Sequence, residues 1–450
     1  MFGLLPGCAT SPSEASVDAV KGDANIPPDG GRQDSGMFDA PPKAMIDFAP
    51  WTLQVGAASS FVSIEAVTTD REGNVIFTGS ISGNLPFATT TDITTYYQRS
   101  MVLLGKYNNA GSKIFVIRID TGYEKSYGIA TDSTGAILVV GSTEPPTSTF
   151  GDTDGFLHKY DANGIELWKT FYGSTAADVP NAVAIDANDN AFVVGRTLGT
   201  LPGQLSGGYG DGFIKKIGSL GTELWTKQFG GQADEDASGV ATDVAGNAYV
   251  IGSGNTVVVS GPNTSGTNYF TFVRKFDSAG AEVWKKEFGF EALATGKAIT
   301  VDGAGNVFVV GNALGAFSGF TSAGSNDIFV CKLDPNGNTI WTKQFGTSGS
   351  DYGSGIAVDA AGDIFVGGEV NGGLPGQTFV GYSDGFVRKY SSAGIENWTK
   401  QFGSSRIDRV SAVTVDLGGN AYAVGTTYGT LPGVTNSLGF NNGFAVKIPR

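Results

Sequence analysis

One short pattern recurs seven times along this chain. A run of apolar and small residues ends in aspartate, and a turn rich in glycine and asparagine follows it. The aspartates are separated by 54 to 62 residues and are Asp70, Asp132, Asp186, Asp243, Asp302, Asp359 and Asp416. Repeats of this length are typical of propellers and solenoids, in which each unit buries its apolar faces against its neighbours. The pattern therefore indicates one repeat array rather than several unrelated domains.

Each repeat contains four short segments with strand character. Representative segments, in chain order, are "SGIAVD", "VFVVG", "DGFVRKY" and "IWTKQF". Tight turns with glycine at the position that needs a positive φ join the first segment to the second and the third to the fourth. We therefore predict an all-β fold, a single seven-bladed β-propeller with four antiparallel strands per blade.

Two repeat positions support a closed ring. Strands crowd together near a propeller axis, and the residue four places before each aspartate is always small. These residues are Ala66, Gly128, Ala182, Gly239, Ala298, Gly355 and Ala412. All six tryptophans share one position in the fourth strand, which Phe115 occupies in the remaining repeat: Trp51, Trp168, Trp225, Trp284, Trp341 and Trp398. We expect these aromatic side chains to fill the gaps between diverging blades.

The order of the segments predicts how the ring closes. "GFAVKIPR" is a third strand without a fourth, whereas "WTLQVG" is a fourth strand without the preceding three. The N-terminal strand is therefore predicted to join the last blade. We assign residues 48–450 to the propeller. Residues 9–47, rich in proline, glycine and aspartate, are predicted to be a disordered tether, and residues 1–8 a truncated lipoprotein signal segment.

The segments "VDAAGDIFVGGEV", "DGFVRKY" and "GIENWTKQFG" resemble the repeat of the bacterial seven-bladed beta-propeller (SBBP) family, over about residues 50–448. The resemblance implies an envelope or surface protein without an assigned activity. "LLPGC" resembles the lipobox of bacterial lipoproteins, which implies a lipid on Cys8. We therefore expect a protein of the bacterial cell envelope, lipid-anchored at the outer membrane or cell surface, or secreted. A plain flexible tail is the other interpretation of the N-terminus.

Composition narrows the classes of function. The formal net charge is −14, and an acidic surface repels phosphate, so no nucleic-acid partner is expected. One histidine, His158, and two cysteines, Cys8 and Cys331, leave little for histidine-dependent catalysis, zinc binding or a disulfide framework. No cofactor other than calcium is expected, membrane contact is expected only through the N-terminal lipid, and the protein is expected to be a monomer.

Acidic residues recur near the predicted strand starts. Eight residues before the repeat aspartate, the following acids are expected to ring the mouth of the axial channel: Glu124, Asp178, Glu235, Asp351 and Asp408. Third strands begin with a second set: Asp154, Asp211, Asp327, Asp384 and Asn442. One interpretation is calcium binding, because calcium takes six to eight oxygen ligands. The other is that each side chain caps a local turn.

The long loops between second and third strands carry most of the sequence variation, which favours a binding role for their face. Several contain "LPG", and their aromatic residues are candidate contacts for a ligand: Tyr96, Tyr97, Tyr209, Tyr382 and Phe440. The alternative is that leucine and proline anchor each loop while the aromatics cover the rim. We predict a non-catalytic binding or scaffold module that recognises an envelope protein or polysaccharide through this face.

Two other functions stay open at this stage. One is an enzyme of the glycosidase or lyase type that uses a carboxyl pair at the channel mouth. The strongest asymmetric candidate for such a pair is the run Asp234, Glu235 and Asp236. The other is a purely structural envelope module.

Overall fold

The computed structural model describes residues 50–56, 60–82, 100–119, 123–144, 153–232, 234–261, 264–434 and 441–450. Within these ranges, 28 β-strands form seven separate four-stranded antiparallel sheets, and no α-helix occurs. The predicted all-β, seven-bladed propeller is therefore confirmed. None of the described residues forms a helix long and apolar enough to cross a membrane.

The strands follow the repeats in chain order. β1 (Trp51–Val55) comes first. Blade 1 contains β2 (Phe61–Thr69), β3 (Val75–Ser82), β4 (Met101–Tyr107) and β5 (Lys113–Ile119). Blade 2 contains β6 (Tyr123–Thr131), β7 (Ile137–Glu144), β8 (Asp154–Tyr160) and β9 (Glu166–Tyr172). Blade 3 contains β10 (Asp178–Ile185), β11 (Ala191–Thr197), β12 (Asp211–Ile217) and β13 (Glu223–Phe229). Blade 4 contains β14 (Glu235–Thr242), β15 (Ala248–Gly261), β16 (Thr264–Phe276) and β17 (Glu282–Phe288).

The remaining blades repeat this order. Blade 5 contains β18 (Ala294–Val301), β19 (Val307–Ala313), β20 (Asp327–Leu333) and β21 (Thr339–Phe345). Blade 6 contains β22 (Tyr352–Val358), β23 (Ile364–Val370), β24 (Asp384–Tyr390) and β25 (Glu396–Phe402). Blade 7 contains β26 (Asp408–Val415), β27 (Ala421–Thr427) and β28 (Asn442–Ile448), and β1 completes it in the order β1-β28-β27-β26. The predicted closure is confirmed.

The apolar core lies between the blades rather than within one layer. Phe308 and Val310 of blade 5, for example, share a buried cluster with Ile356 and Val366 of blade 6. Near the axis the blades approach so closely that a Cβ on Gly355 would lie 2.8 Å from the backbone nitrogen of Val413 in blade 7. This contact explains why the position four residues before the repeat aspartate carries only alanine or glycine.

Five of the six tryptophans join their blade to a turn of the next blade. The indole Nε1 of Trp284 donates a hydrogen bond to the Pro335 carbonyl at 3.1 Å. Gly337 of the same turn has φ +84°, and a Cβ there would lie 3.1 Å from the indole ring. We call this arrangement the Trp–turn contact. It recurs in the pairs Trp51–Asn109, Trp168–Ser219, Trp225–Ser278 and Trp341–Ser392. The expected filling of the gaps between blades is confirmed.

A lysine in the third strand reinforces the same junctions. Lys159 forms an ion pair with the repeat aspartate Asp132 at 2.7 Å, and its ammonium also donates to the Ser219 carbonyl in blade 3 at 3.3 Å. Equivalent ion pairs are Lys106–Asp70, Lys216–Asp186 and Lys389–Asp359. The recurring lysine is therefore a structural residue.

Candidate functional site

A β-bulge in each innermost strand defines the site. The paired register skips one residue, always five places before the repeat aspartate. The bulged residues are Glu65, Tyr127, Asn181, Ser238, Lys297, Ser354 and Ser411. All seven line one cavity of about 500 Å³ at the axis. Because a bulge changes the direction in which a side chain points, every blade directs one bulged residue toward the axial cavity.

A glycine in the second strand permits each bulge. In blade 5, a Cβ on Gly311 would lie 2.1 Å from the Thr295 carbonyl oxygen across the bulge. Equivalent glycines face a carbonyl at 1.8 to 2.1 Å and are Gly79, Gly141, Gly195, Gly252, Gly368 and Gly425. Glycine inside a strand often marks such a close backbone approach. The glycine that recurs in every second strand is the sequence signal for this ring.

The ring is chemically asymmetric. Ser238 and Ser354 donate their hydroxyls to backbone carbonyls of the following blade, namely those of Gly296 and Val410. Glu65 and Lys297, in contrast, make no hydrogen bond or ion pair with other described residues. The ring therefore has serines from blades 4, 6 and 7 and larger polar side chains from blades 1, 2, 3 and 5.

Charged groups just above the ring complete the cavity. Asp236 accepts a hydrogen bond from Asn181 Nδ2 at 2.7 Å. Burial raises the pKa of Asp236 above its usual range, although Arg196 and the Asn181 hydrogen bond oppose that effect. Arg409 pairs with Glu369 at 2.8 Å, and both line the cavity. The cavity thus offers carboxylate, amide, hydroxyl and cationic groups to one ligand.

The predicted acidic ring at the channel mouth is wrong in position. Glu124, Asp178, Asp351 and Asp408 are fully buried and Glu235 is 8% exposed, and none of them lines the axial cavity. Side chains alternate along a strand, so a residue seven places before the repeat aspartate points away from the side faced by the residue eight places before it. Asp236, Tyr352 and Arg409 hold that position and line the cavity. Asp236 lines the cavity for this reason, and Glu235 does not.

Four of these acids cap the turns that connect the blades. Backbone amides of these turns donate to their carboxylates, in the pairs Ser174–Asp178, Gly231–Glu235, Thr347–Asp351 and Ser404–Asp408. These contacts are the local capping that formed the second interpretation. Among the described residues, no group of three or more histidine, cysteine, aspartate or glutamate side chains is arranged to hold a metal ion. Calcium binding by the five acids stays a prediction.

The same four acids each face the aspartate that begins the third strand of the preceding blade. Around Gly230, Asp211 Oδ1 and Glu235 Oε2 lie 2.1 and 2.9 Å from the position that a Cβ would take. The other Oδ of Asp211 accepts from Gln228 Nε2 at 2.7 Å, while Oδ1 is buried without a hydrogen-bond partner among the described residues. The equivalent pairs are Asp154–Asp178, Asp327–Asp351 and Asp384–Asp408.

Burial raises the pKa of Glu235, and the neighbouring Asp211 carboxylate adds to this effect. A raised folded-state pKa contributes stability below the unfolded-state value, and that stability is lost as the pH rises through the folded-state pKa. Glu235→Gln removes the charge and provides an amide that can donate to Asp211. We therefore expect Glu235→Gln to stabilise the protein by about 1 kcal/mol near pH 7.5 and to have little effect near pH 4.

Urea unfolding at the two pH values measures this difference, and Glu291→Gln, at an exposed position, is the matched control. A variant that is less stable than the wild type near pH 7.5 would contradict the expectation. Repeating the neutral-pH measurement with added calcium tests the cation interpretation, because a bound cation would remove the advantage of the uncharged variant.

The run Asp234, Glu235 and Asp236 is separated into three environments. Asp234 pairs with Arg196 at 2.7 Å, Glu235 lies in the junction between blades 3 and 4, and Asp236 faces the axial cavity. Only one of the three carboxylates therefore reaches the cavity, and no carboxyl pair arises from this run.

The predicted aromatic contacts lie on separate loops. Tyr209 between β11 and β12 is 85% exposed, and Tyr382 between β23 and β24 is 78% exposed. Neither lines the axial cavity. Tyr96, Tyr97, Phe440 and Cys8 lie outside the described residues.

The "LPG" segments anchor their loops. Leu201, Leu374 and Leu431 are buried, as the alternative interpretation of this motif predicted. The Gln228 side chain holds one such loop by accepting from the Leu201 amide at 2.9 Å and donating to the Gly199 carbonyl at 2.9 Å. The loop backbone is therefore fixed, and its exposed side chains project from a rigid base.

One feature of the face that carries the long loops was not predicted from the sequence. In place of a loop, blade 4 has a long hairpin in which β15 and β16 contain 14 and 13 residues and pair as far as Gly261–Thr264. It projects at the cavity end, because Glu235 pairs with Gly254 at the start of the extension. The β-branched run "TVVVS" is the signal that could have predicted it.

The histidine and the described cysteine are not candidates for catalysis. Burial lowers the pKa of His158 to about 4 and raises the pKa of the Cys331 thiol to about 11. Both side chains are buried within their blades, away from the axial cavity.

Comparison with known proteins agrees with the fold. Residues 224–256, 340–375 and 397–432 match the SBBP family, described as a beta-propeller repeat. The regulatory protein FlaEY of Caulobacter vibrioides is 26% identical over 391 residues, or 75% of this chain and 40% of that protein. An uncharacterized WD repeat-containing protein of Acanthamoeba polyphaga mimivirus is 28% identical over 29% of this chain and 11% of that protein. The chain thus spans less than half the length of these curated relatives.

Two solved structures show a weak similarity to the chain. A catalytically inactive virginiamycin B lyase from Staphylococcus aureus, with quinupristin, has a TM-score of 0.46 at 10% identity, covering 88% of this chain and 98% of that chain. A polysaccharide lyase described as an ulvan lyase has a TM-score of 0.47 at 12% identity, covering 83% and 93%. Similarity at this level does not indicate a function. The chain is a seven-bladed β-propeller in which three segments match the SBBP beta-propeller repeat.

Proposed function

We propose that this protein is a non-catalytic binding module of the bacterial cell envelope that recognises a glycan at the axial cavity. The observation that carries the proposal is the asymmetry of the bulge ring. Glu65, Tyr127, Asn181 and Lys297 stand at equivalent repeat positions, yet each offers a different hydrogen-bonding group. A cavity of about 500 Å³ falls in the range of small-molecule sites, about 300 to 1,000 Å³.

The chemistry of the cavity suits a polyhydroxylated ligand. Hydroxyl groups both donate and accept, so they can pair with the Glu65 carboxylate, the Asn181 amide and the Lys297 ammonium alike. The net charge of −14 disfavours strongly anionic ligands and so favours a neutral or weakly charged glycan. Nucleic acid is not proposed as a partner.

The exposed tyrosines extend the same face. Asp178 at the start of β10 pairs with Thr197 at the end of β11, so the loop that carries Tyr209 lies at the cavity end of the blade. Tyrosine provides a flat apolar ring with a polar tip. A glycan chain whose end enters the cavity can then contact Tyr209 or Tyr382 with its later units.

The proposed lipid on Cys8 implies an envelope location. We expect the protein to be a monomer whose cavity face points toward envelope polysaccharide or protein. Fractionation of cells that produce the wild type and Cys8→Ser tests this part. We expect the wild type in the membrane fraction and the variant in the soluble fraction. Equal membrane association of the two would exclude the lipid anchor.

The binding site itself is tested with immobilised bacterial envelope polysaccharides and the full chain. Asn181→Ala and Lys297→Ala are each expected to weaken binding about tenfold, the effect of losing roughly 1.4 kcal/mol. Leu220→Ala is the control, because Leu220 is exposed on the opposite face in the turn between β12 and β13. If the cavity variants bind as the wild type does, or if no polysaccharide is retained, the proposal fails.

A second candidate function is cleavage of the bound polysaccharide. Its supporting observation is Asp236, a carboxyl group with a raised pKa that shares the cavity with Lys297. A general acid or base benefits from a pKa moved toward neutrality. Incubation of the wild type and Asp236→Asn with each retained polysaccharide, followed by measurement of chain length, decides between the two functions. Shortening by the wild type alone would favour the enzyme.

A further inference from the structure

One blade junction lacks a contact that the others share. In six junctions, a turn of the following blade packs against the aromatic residue of the preceding blade. Five of them are Trp–turn contacts, and in the sixth a Cβ on Gly164 would lie 3.1 Å from the Phe115 ring. At the junction of blades 6 and 7, Trp398 Nε1 has no hydrogen-bond partner among the described residues.

Topology explains the difference. In blades 1 to 6 a tight turn joins the third strand to the fourth, and that turn enters the junction. In blade 7 these strands are β28 and β1, which lie at opposite ends of the propeller sequence, so no tight turn joins them. Lys389 correspondingly contacts Asp359 and Asp363 of its own blade. Its counterpart Lys332 instead donates to the Ser392 carbonyl of the next turn.

A groove of about 470 Å³ lies at this junction. Its apolar floor includes Phe402, Val446 and Ile448, and its cationic groups are those of Lys400 and Arg450, with no acidic residue in its lining. Lys447 also lines it, but its ammonium donates to the Asn109 carbonyl of blade 1 at 3.1 Å. The Lys400 ammonium lies 5.6 Å from the centroid of the Trp398 ring, so the groove adjoins the unused indole. One junction earlier, Lys343 occupies the repeat position of Lys400, and a Cβ on Gly394 of the inserted turn would lie 3.1 Å from its Cε.

The neighbouring junctions show what such a groove accepts. The inserted turn supplies the carbonyl of its second residue to the indole, as Pro335 does for Trp284. Its fourth residue is glycine with a positive φ, which packs its backbone against the indole ring. Its first residue is aspartate in three of the six turns, which begin at Asp161, Asp277 and Asp334.

We propose that the groove between blades 6 and 7 binds an Asp-x-x-Gly turn of another polypeptide chain. The carbonyl after the aspartate accepts a hydrogen bond from Trp398 Nε1, and the glycine packs on the indole ring. The aspartate carboxylate faces the cationic lining that Lys400 and Arg450 provide, so charge complementarity selects an acidic turn over a neutral one. This site lies on the outer part of the ring, and the proposal is independent of glycan binding at the axis.

The test uses the full chain with ¹⁵N-labelled tryptophan and a cyclised peptide of residues 333–340, the turn that fills the Trp284 contact. Of the six indole N–H resonances, we expect only that of Trp398 to shift saturably as peptide is added. Trp398→Phe identifies this resonance, and Phe115 at the same repeat position indicates that the fold accepts phenylalanine there. A peptide with Gly337→Val, or with Asp334→Lys, is expected to cause no saturable shift.

Several results would overturn the proposal. One is the absence of any saturable shift, and another is an equal response to the Gly337→Val peptide. Slow hydrogen exchange of the Trp398 indole before any peptide is added would show that the chain's own residues fill the groove. A shift that depends on protein concentration alone would assign the groove to a second copy of this chain. In either of the last two cases the external partner is excluded.

Discussion

Replacing Gly311 with alanine is expected to lower the free energy of unfolding by about 3 kcal/mol, the upper end of the usual cost of overpacking. The added Cβ would lie 2.1 Å from the Thr295 carbonyl oxygen and 2.6 Å from Phe329 Cε1. The phenylalanine is fully buried, and the carbonyl belongs to the strand that carries the bulge. The carbonyl cannot move away without separating β18 from β19, and Phe329 of β20 is packed in the buried core.

Urea unfolding of the wild type and Gly311→Ala measures this cost. Gly303→Ala, in the turn of the same blade, is the matched control because nothing lies within 4 Å of its Cβ position. We expect the control to stay within about 0.5 kcal/mol of the wild type, as surface substitutions usually do. A Gly311→Ala protein as stable as the control would show that β19 tolerates a side chain at the bulge.

The same glycine links stability to the proposed binding site. Lys297 reaches the axial cavity because the bulge places an extra residue between Gly296 and Ala298 in β18. If alanine at position 311 straightens this strand, Lys297 turns away from the cavity. The variant is therefore expected to lose part of its affinity for a cavity ligand even where it remains folded, whereas Gly303→Ala retains that affinity.

The fold could be predicted from the sequence because the same residue types recur at the same positions in each repeat. The repeat aspartate, the turn glycine and the tryptophan each have one structural task, performed in several blades with nearly the same geometry. Trp284 and Trp341, for instance, make the same hydrogen bond to the turn of the next blade. Because the pattern recurs seven times, it predicts seven blades. Because the first and last repeats are incomplete, it also predicts closure by β1.

The site was predicted less well because it depends on the bulge. Counting from the repeat aspartate placed Glu235 at the channel mouth, but its neighbour Asp236 lines the cavity and Glu235 is buried between blades. A one-residue difference reverses the direction of a strand side chain. The position that does reach the axis holds seven residues with little in common, so it carries no motif. Its sequence signal is the glycine across the bulge.

The face that carries the loop aromatics could be predicted from the sequence, but the distances between these side chains could not. Tyr209 and Tyr382 are strongly exposed on the predicted face, but irregular loops have no register from which distances between them follow. The sequence around Trp398 is that of any other repeat, so it did not indicate that the indole would lack a turn contact among the described residues. The missing contact arises from the closure of the ring, a property of the topology rather than of the local sequence.

Replacing Lys159 with methionine is expected to destabilise the protein by about 3 kcal/mol near pH 7, the lower end of the cost of breaking a buried ion pair. The Lys159 and Asp132 side chains are 8% and 2% exposed, so the variant leaves a buried carboxylate without its cation. Burial alone would raise the pKa of Asp132, but hydrogen bonds from Lys159 and Thr134 hold it below its usual range. Stability from a lowered pKa is present above the unfolded-state value and is lost as the pH falls through the folded-state pKa.

The cost of Lys159→Met should therefore shrink as the pH is lowered from about 7 to about 3.5, where a protonated Asp132 needs no partner. Urea unfolding at both values measures the change. Lys159→Met combined with Asp132→Asn is the matched control, since it removes the unpaired charge while the amide oxygen can still accept from the Ala136 backbone at the turn. We expect the double variant to recover part of the lost stability near pH 7. An equal cost at both pH values, or a double variant less stable than Lys159→Met, would mean that the lysine acts through its packing between blades and its bond to the Ser219 carbonyl rather than through its charge.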